Sequence, residues 1–264
     1  IGLGISDAVG KPQTEDISIP RPDYHGTPIG PDETTFDDAR RVIRITHTED
    51  LLPKPVVDYI KNGSADQETP KAFPQNTYFL INTLPDSCKI AEQVAREMGL
   101  NAVTLTTFLE GESREAGMFF ASLAREIQTN SRPFSAPCVI LAAGETTTKI
   151  SDNAEIRGHG GPSHELVAAF ALAASKVPGA CMLSIDTEGT DGTTLYAGGL
   201  TDSKTAEAAR LAGIDLYEAL RGHAVGEALV ALNDAVFTGN TGTNLCDLNV
   251  LYVPAAASDR FKKS

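Results

Sequence analysis

Three carboxylates, Asp186, Glu188 and Asp191, fall within one short stretch, SIDTEGTDGTT, Ser184 to Thr194. Like charges this close repel, and a bound cation, hydrogen-bond donors or sugar-like hydroxyls would relieve the cost. Magnesium suits such a set. The spacing lacks the further ligands and distal Glu of a calcium loop, so an EF-hand is rejected. A solvated acidic turn is the alternative. On both readings the loop is exposed, and Asp191→Asn should then change stability by no more than about 0.5 kcal/mol.

Three other stretches carry polar groups on glycine-bent backbone. AAGETTTKI, Ala142 to Ile150, sets Glu145, Thr146 and Thr147 just past an apolar run. In RGHGGPSHE, Arg157 to Glu165, the glycines Gly158, Gly160 and Gly161 allow close backbone approach, and a helix opening near Ser163 offers free N–H groups to an anion. The alternative is a plain N-cap whose glycines merely turn the chain. FTGNTGTNLCDL brings Thr241, Thr243 and Asn244, hydrogen-bonding material for an oxyanion or a polar substrate and also ordinary turn residues. Of the histidines, His164 is the one placed to accept or share a proton.

Alternating strands and helices must hold these loops. Strand patterns are read at Ile1 to Ile5, Thr77 to Asn82, Ala102 to Leu105, Cys138 to Ala142, Thr146 to Ile150, Ala180 to Ile185 and Asn249 to Val253. Helical spacing follows Thr34 and Pro55, then recurs at Pro85 to Met98, Glu112 to Ile127, Ser163 to Ser175, Ser203 to Ala212, Leu216 to Arg221 and Val225 to Leu232. The order implies an α/β fold with a mixed or largely parallel sheet flanked by helices. Gln13 to Thr35 is rich in Pro, Gly, Asp and Thr and reads as a long loop, a lid or a linker.

Whole-chain properties narrow the function classes. A formal charge of −13 over 264 residues argues against nucleic-acid and anionic-membrane partners, which need a basic surface. Four well-separated cysteines, Cys88, Cys138, Cys181 and Cys246, give no zinc spacing and point to reduced thiols and a cytoplasmic setting. No P-loop, GxSxG or protein-kinase motif set occurs. The chain opens at Ile1 within an apolar, strand-like segment, IGLGI, which suggests sequence missing upstream.

Taken in order, GETTTKI, GHGGPSHELVAAFALA, DTEGTDGTTLYAGGLTD and TGNTGTNLCDLNVLYV resemble the C-terminal MOFRL domain of the glycerate 2-kinase family, whose members are often labelled hydroxypyruvate reductases. LEGESREAG, Leu109 to Gly117, fits the same family, while ISDAVGKP and PDETTFDDA are similar to the end of its N-terminal domain. The resemblance implies residues 1–75 as the tail of that domain with a linker, and 76–264 as the MOFRL-type domain. It implies an active site between the two domains and a catalytic lysine in the N-terminal part. Pro162, Ser163 and His164 stand where the family loop GGRNQE has Arg, Asn and Gln, and Arg157 is the candidate substitute for that arginine.

The implied activity is transfer of the ATP γ-phosphoryl group, with Mg2+, to a hydroxyl of glycerate or a related small hydroxy acid, a step of carbohydrate metabolism. This stretch alone is expected to be inactive. Glu145, Asp191 and His164 are the expected catalytic residues. Thr146, Arg157, Gly160, Gly161, Ser163, Thr241, Thr243 and Asn244 are expected to bind substrate or phosphate, and Asp186, Glu188 and Asp191 metal. The rivals are an NAD(P)H-dependent hydroxypyruvate reductase, for which no GxGxxG follows a strand here, and a non-catalytic ligand-binding module.

Overall fold

A computed structural model describes residues 1–9, 31–73, 77–151 and 155–256. Two compact units divide it near residue 81. Most of the reading of Gln13 to Thr35 lies outside the described residues.

In the smaller unit, α1 (Phe36–Thr46) starts at a capping box in which Thr35 and Asp38 satisfy each other's backbone N–H groups. It pairs with α2 (Lys54–Asn62) through an edge-on contact of Phe36 and Tyr59, with ring centroids 5.3 Å apart. The short strands β1 (Gly2–Ser6) and β2 (Tyr78–Thr83) form a separate two-stranded sheet.

The larger unit is α/β. After α3 (Leu84–Glu97) come β3 (Asn101–Glu112), α4 (Ser113–Asn130), β4 (Cys138–Thr147) and α5 (Pro162–Ala173). Then follow β5 (Cys181–Asp186), β6 (Gly198–Asp202), α6 (Thr205–Leu211), α7 (Leu216–Arg221), α8 (Val225–Leu232), β7 (Ala235–Val236) and β8 (Asp247–Val253). Six strands make one sheet in the order β3-β4-β8-β5-β6-β7. Only β3 and β4 run parallel, joined by the α4 crossover, and the other neighbours are antiparallel. The sheet is therefore mixed rather than largely parallel.

β4 is buried along Cys138–Gly144 because helices cover both faces of the sheet. On one face Leu84, Cys88 and Ala95 of α3 pack over Val139, Leu141 and Ala143. On the other, α4 and α5 lie over Ile140, Ala142, Met182 and Leu251. Helix α5 is apolar nearly all round, as a helix enclosed by a sheet, α4 and α6–α8 must be.

Two expectations fail. The run read as a strand at Thr146 to Ile150 is the end of β4, which continues to Thr147 and stops. Strand β6, GGLTD, went unread because two glycines and an Asp carry no β propensity; its partner β5 and the residues of α5 and α8 supply the packing instead.

α4 and α5 touch at Gly117, where a Cβ would stand 2.2 Å from the Leu166 carbonyl oxygen. Gly117→Ala should force the helices apart and cost about 1–3 kcal/mol despite its better helix propensity. Urea denaturation measures this, and a variant as stable as the parent would refute the close contact.

Candidate functional site

Helix α5 begins without a side-chain cap of its own, after Gly161. Asp191, from the loop between β5 and β6, fills that role. Its Oδ2 accepts from the His164 N–H at 2.9 Å and its Oδ1 from the Ser163 N–H at 3.3 Å. A Cβ on Gly161 would sit 2.4 Å from Asp191 Oδ1, so the carboxylate's approach requires glycine there. Gly192 next to it has φ 58°, and its missing Cβ makes room for the Gly160 carbonyl, which also accepts from the Thr193 N–H at 3.1 Å. The anion at this helix N-terminus is the protein's own.

This geometry corrects several expectations. Asp191 is 2% exposed, so the acidic loop is not a solvated turn at this residue. His164 is fully buried, with Nδ1 against Asp191 Oδ2 and its ring edge-on to Tyr196 at 5.4 Å. Ser163 is equally buried and bonds Ser184 through their hydroxyls at 2.8 Å. The Gly160–Gly161–Ser163 turn thus cradles Asp191 rather than leaving its N–H groups free for a ligand.

Strand alternation sorts the residues at the end of β4. Glu145 is exposed, while Thr146 points to the other face, buried, and takes the Ser113 hydroxyl at 3.1 Å. Thr146 is therefore turned away from the side of the strand on which Glu145 is exposed. Arg157 leaves the glycine loop altogether: its guanidinium meets Glu155 at 2.8 Å and Glu218 of α7 at 3.2 Å.

The β5–β6 loop and the loop before β8 are laced together. Thr241 Oγ1 donates to the Thr187 carbonyl at 2.6 Å, the Thr241 N–H to the Glu188 carbonyl at 3.1 Å, and the Leu245 N–H to Thr187 Oγ1 at 2.7 Å. Asn244 Nδ2 reaches Glu188 Oε2 at 3.4 Å, and the Thr243 N–H reaches Thr241 Oγ1 at 3.4 Å. Thr241 and Asn244 are exposed and Glu188 half-buried, so these groups line an open, polar wall beside Glu145.

At the base of that wall stands Asp247, the first residue of β8, whose register sets it opposite Gly144 on one side and Asp186 on the other. Burial first, then the charges of Asp191 and Asp186, push its carboxyl up to about 8. Burial likewise lifts Asp186 to about 6, with Glu188, Asp191 and Glu145 adding repulsion. The Cys246 thiol, 3.8 Å from Glu145 Oε2, is pushed to about 12 by burial and the same carboxylates. Among the described residues, no lysine or arginine forms an ion pair with Asp186, Glu188 or Asp247, and no three Asp, Glu, His or Cys side chains are grouped to hold a metal.

Two members of this polar base escaped notice as site residues. Asp247 and Asn249 occupy the sheet face that Leu251 and Val253 line further along β8, and Asn249 is 1% exposed with neither amide atom bonded to protein. Two polar side chains at a two-residue interval on the buried face of a strand are a readable signal, masked here by the turn that precedes them.

With the loops assembled, a scan of family models matches the MOFRL family over residues 138–247, the stretch from β4 to the start of β8. The chain carries a MOFRL family domain. It is similar to the glycerate 2-kinase of Pyrococcus horikoshii, 34% identical over 229 residues, which are 86% of this chain and 51% of that protein. A putative hydroxypyruvate reductase of Agrobacterium vitis is 31% identical, over 96% of this chain and 62% of its own length. The crystal structure of a glycerate kinase from Thermotoga maritima superposes with a TM-score of 0.77 at 33% identity, covering 95% of this chain and 56% of that one. The chain thus spans about half the length of the curated glycerate 2-kinases it matches.

Two consequences for the MOFRL domain can be measured. Asp191→Asn sets an amide NH2 among N–H donors and removes a buried charge-assisted contact, so a loss of about 1.5–3 kcal/mol replaces the negligible change expected of an exposed loop; unchanged urea stability would sink the capping role. Asp247, with a carboxyl raised in the folded state, binds its proton more tightly folded than unfolded, so its contribution is present below about pH 4 and is lost as pH rises towards 8. Asp247→Asn should flatten the fall in melting temperature between pH 5 and 9, and parallel curves for variant and parent would contradict this.

Proposed function

We propose that the loops around Glu145 and Asp186 form one wall of a glycerate-kinase-type phosphotransferase site, where the γ-phosphoryl group of ATP passes to a hydroxyl of glycerate or a related hydroxy acid. The observation that carries this is the wall's charge: carboxylates lifted first by burial and then by mutual repulsion, with no cation paired to them among the described residues, beside hydroxyl and amide groups open to solvent. The similarity to glycerate kinases over the same stretch supports the choice of substrate.

Magnesium usually takes one or two carboxylates and completes its shell with phosphate oxygens and water, so the lack of a preformed three-ligand cage is compatible with it. Asp186 and Glu188 would hold the ion, Asp191 being committed to α5. Bound there, it would offset charge on the phosphate oxygens. Glu145, exposed at the end of β4, is the group to accept the acceptor hydroxyl's proton as the new O–P bond forms and ADP leaves. Thr241, Thr243 and Asn244 would orient the polyol side of the substrate. Phosphoryl transfer demands mainly positioning and charge neutralisation. Among the described residues the wall offers no arginine or lysine clamp, and turnover by this chain alone is expected to be absent. Reduced, unpaired cysteines agree with a cytoplasmic setting.

Joining the chain to the N-terminal half of the Pyrococcus horikoshii relative should yield ATP-dependent phosphorylation of glycerate, which Glu145→Gln lowers on the order of 10²-fold or more without shifting the melting point. The relative named as a hydroxypyruvate reductase motivates the second arm. A folded chimera that oxidises NAD(P)H with hydroxypyruvate but leaves glycerate and ATP untouched would replace the phosphotransferase reading by the reductase one.

A further inference from the structure

A second candidate binding region lies on the other side of the α5 N-terminus and uses none of the loop-wall residues. Its anchor is Glu165, 1% exposed on the first turn of α5. Glu165 Oε2 takes the Arg114 Nε–H at 2.6 Å, and Oε1 lies 2.7 Å from His223 Nδ1. His223 is presented there by a backbone turn at φ 52°, in the left-handed region. A buried carboxylate thus fixes Arg114 at the start of α4.

Two cavities meet at this arginine. One, of about 390 Å³, is lined by Arg114, Lys149, Arg157, Arg221 and His223 together with Ser151 and the carboxylate of Glu155. The other, of about 380 Å³, is mainly apolar: Met118 of α4, Ala169 and Leu172 of α5, and Tyr217 and Leu220 of α7 line it, with Glu115 the one carboxylate among its lining residues. Arg114 and Arg221 belong to both. Met118 and Tyr217 are exposed there.

Charge and shape favour an elongated, amphipathic ligand. Four cationic side chains converge on the polar half in a protein of net charge −13. Lys149 has no ion pair among the described residues, the partners of Arg157 and Arg221 are exposed Glu155 and partly exposed Glu218, and Arg114 is held by buried Glu165. Exposed pairs of this kind contribute about 0–1 kcal/mol, so an incoming phosphate can replace them at little cost. Arginine forks match phosphate oxygens bidentately, and a tyrosine face beside a methionine suits a flat ring.

We propose that the joined cavities bind a nucleoside phosphate, its base in the trough of Met118, Leu172 and Tyr217 and its phosphates against Arg114, Lys149, Arg157 and Arg221. The site is separate from the Glu145 wall and does not depend on the phosphotransferase reading. Both halves of the ligand are needed for tight binding, since each cavity alone satisfies only one end.

Calorimetric titration of the chain with ATP, ADP, adenosine, inorganic tripolyphosphate and inorganic phosphate tests this. Saturable binding is expected for ATP and ADP, with adenosine and the inorganic anions weaker by about tenfold or more, the size of one lost stacking partner or charge contact. Tyr217→Ala should weaken ATP but not tripolyphosphate, and Lys149→Gln should weaken both; each side chain is on the surface, and melting curves confirm the fold. No saturable nucleotide binding would overturn the proposal, as would tripolyphosphate binding as tightly as ATP, or ATP binding that Tyr217→Ala and Lys149→Gln both leave intact. The phosphotransferase reading fails separately, in the glycerate assay.

Discussion

Asp191 is the residue on which the arrangement of this MOFRL domain turns, because one carboxylate replaces three missing partners. Helix α5 needs an acceptor for its first N–H groups and has none from its own preceding residues, which are glycines. The β5–β6 loop, anchored by Tyr196 and Ala197 only at its far end, needs a fixed point in the stretch that holds its two glycines. His164 needs a polar neighbour in an otherwise closed interior, where its Nε2 has no protein partner. Asp191 meets all three needs at once, and the helix dipole favours its negative charge in that position. The price is carried next door, where its field helps raise the carboxyls of Asp186 and Asp247.

That tension is what makes the wall reactive in principle. A helix N-terminus filled by the protein's own carboxylate no longer serves as a phosphate cradle, so the familiar use of such a turn is closed off here. What remains at the ends of β4 and β5 is surplus negative charge and a set of hydroxyls, a surface that favours cations and polar neutral groups over bare anions. The basic residues, by contrast, sit past Glu165, one residue further along the same helix turn.

Much of this organisation was readable from residue types. Elements with strong periodicity, such as α4 and the apolar run of β4, lie where their patterns place them, and the glycine-rich stretches do come together at strand ends. Three kinds of information were not readable. Strand direction is set by chain connections rather than by side chains, so β8 inserting antiparallel between β4 and β5 left no local trace. Burial of a polar residue depends on distant partners: nothing near Asp191 in sequence announces that Ser163 and His164, 28 and 27 positions earlier, will donate to it. Facing is decided by exact register, and a strand that runs three residues past its buried run Cys138–Gly144 sent Thr146 inward and Glu145 outward.

The two flanks of the α5 N-terminus are also mechanically linked. His164 and Glu165 are consecutive on a helix, about 100° apart in projection, so each flank is tied to the same rigid turn. His164 ties it to the β5–β6 loop through Asp191, and Glu165 ties it to α4 and to the turn before α8 through Arg114 and His223. A shift of the turn on one side cannot occur without moving the other, because Gly117 brings the α4 backbone against α5 one turn away and leaves no slack for independent sliding. Close packing of small residues therefore does for this domain what a longer loop network does elsewhere: it holds a carboxylate wall and an arginine-lined cleft in fixed relation across a single helix end, so that a group engaging one flank meets the other already in place.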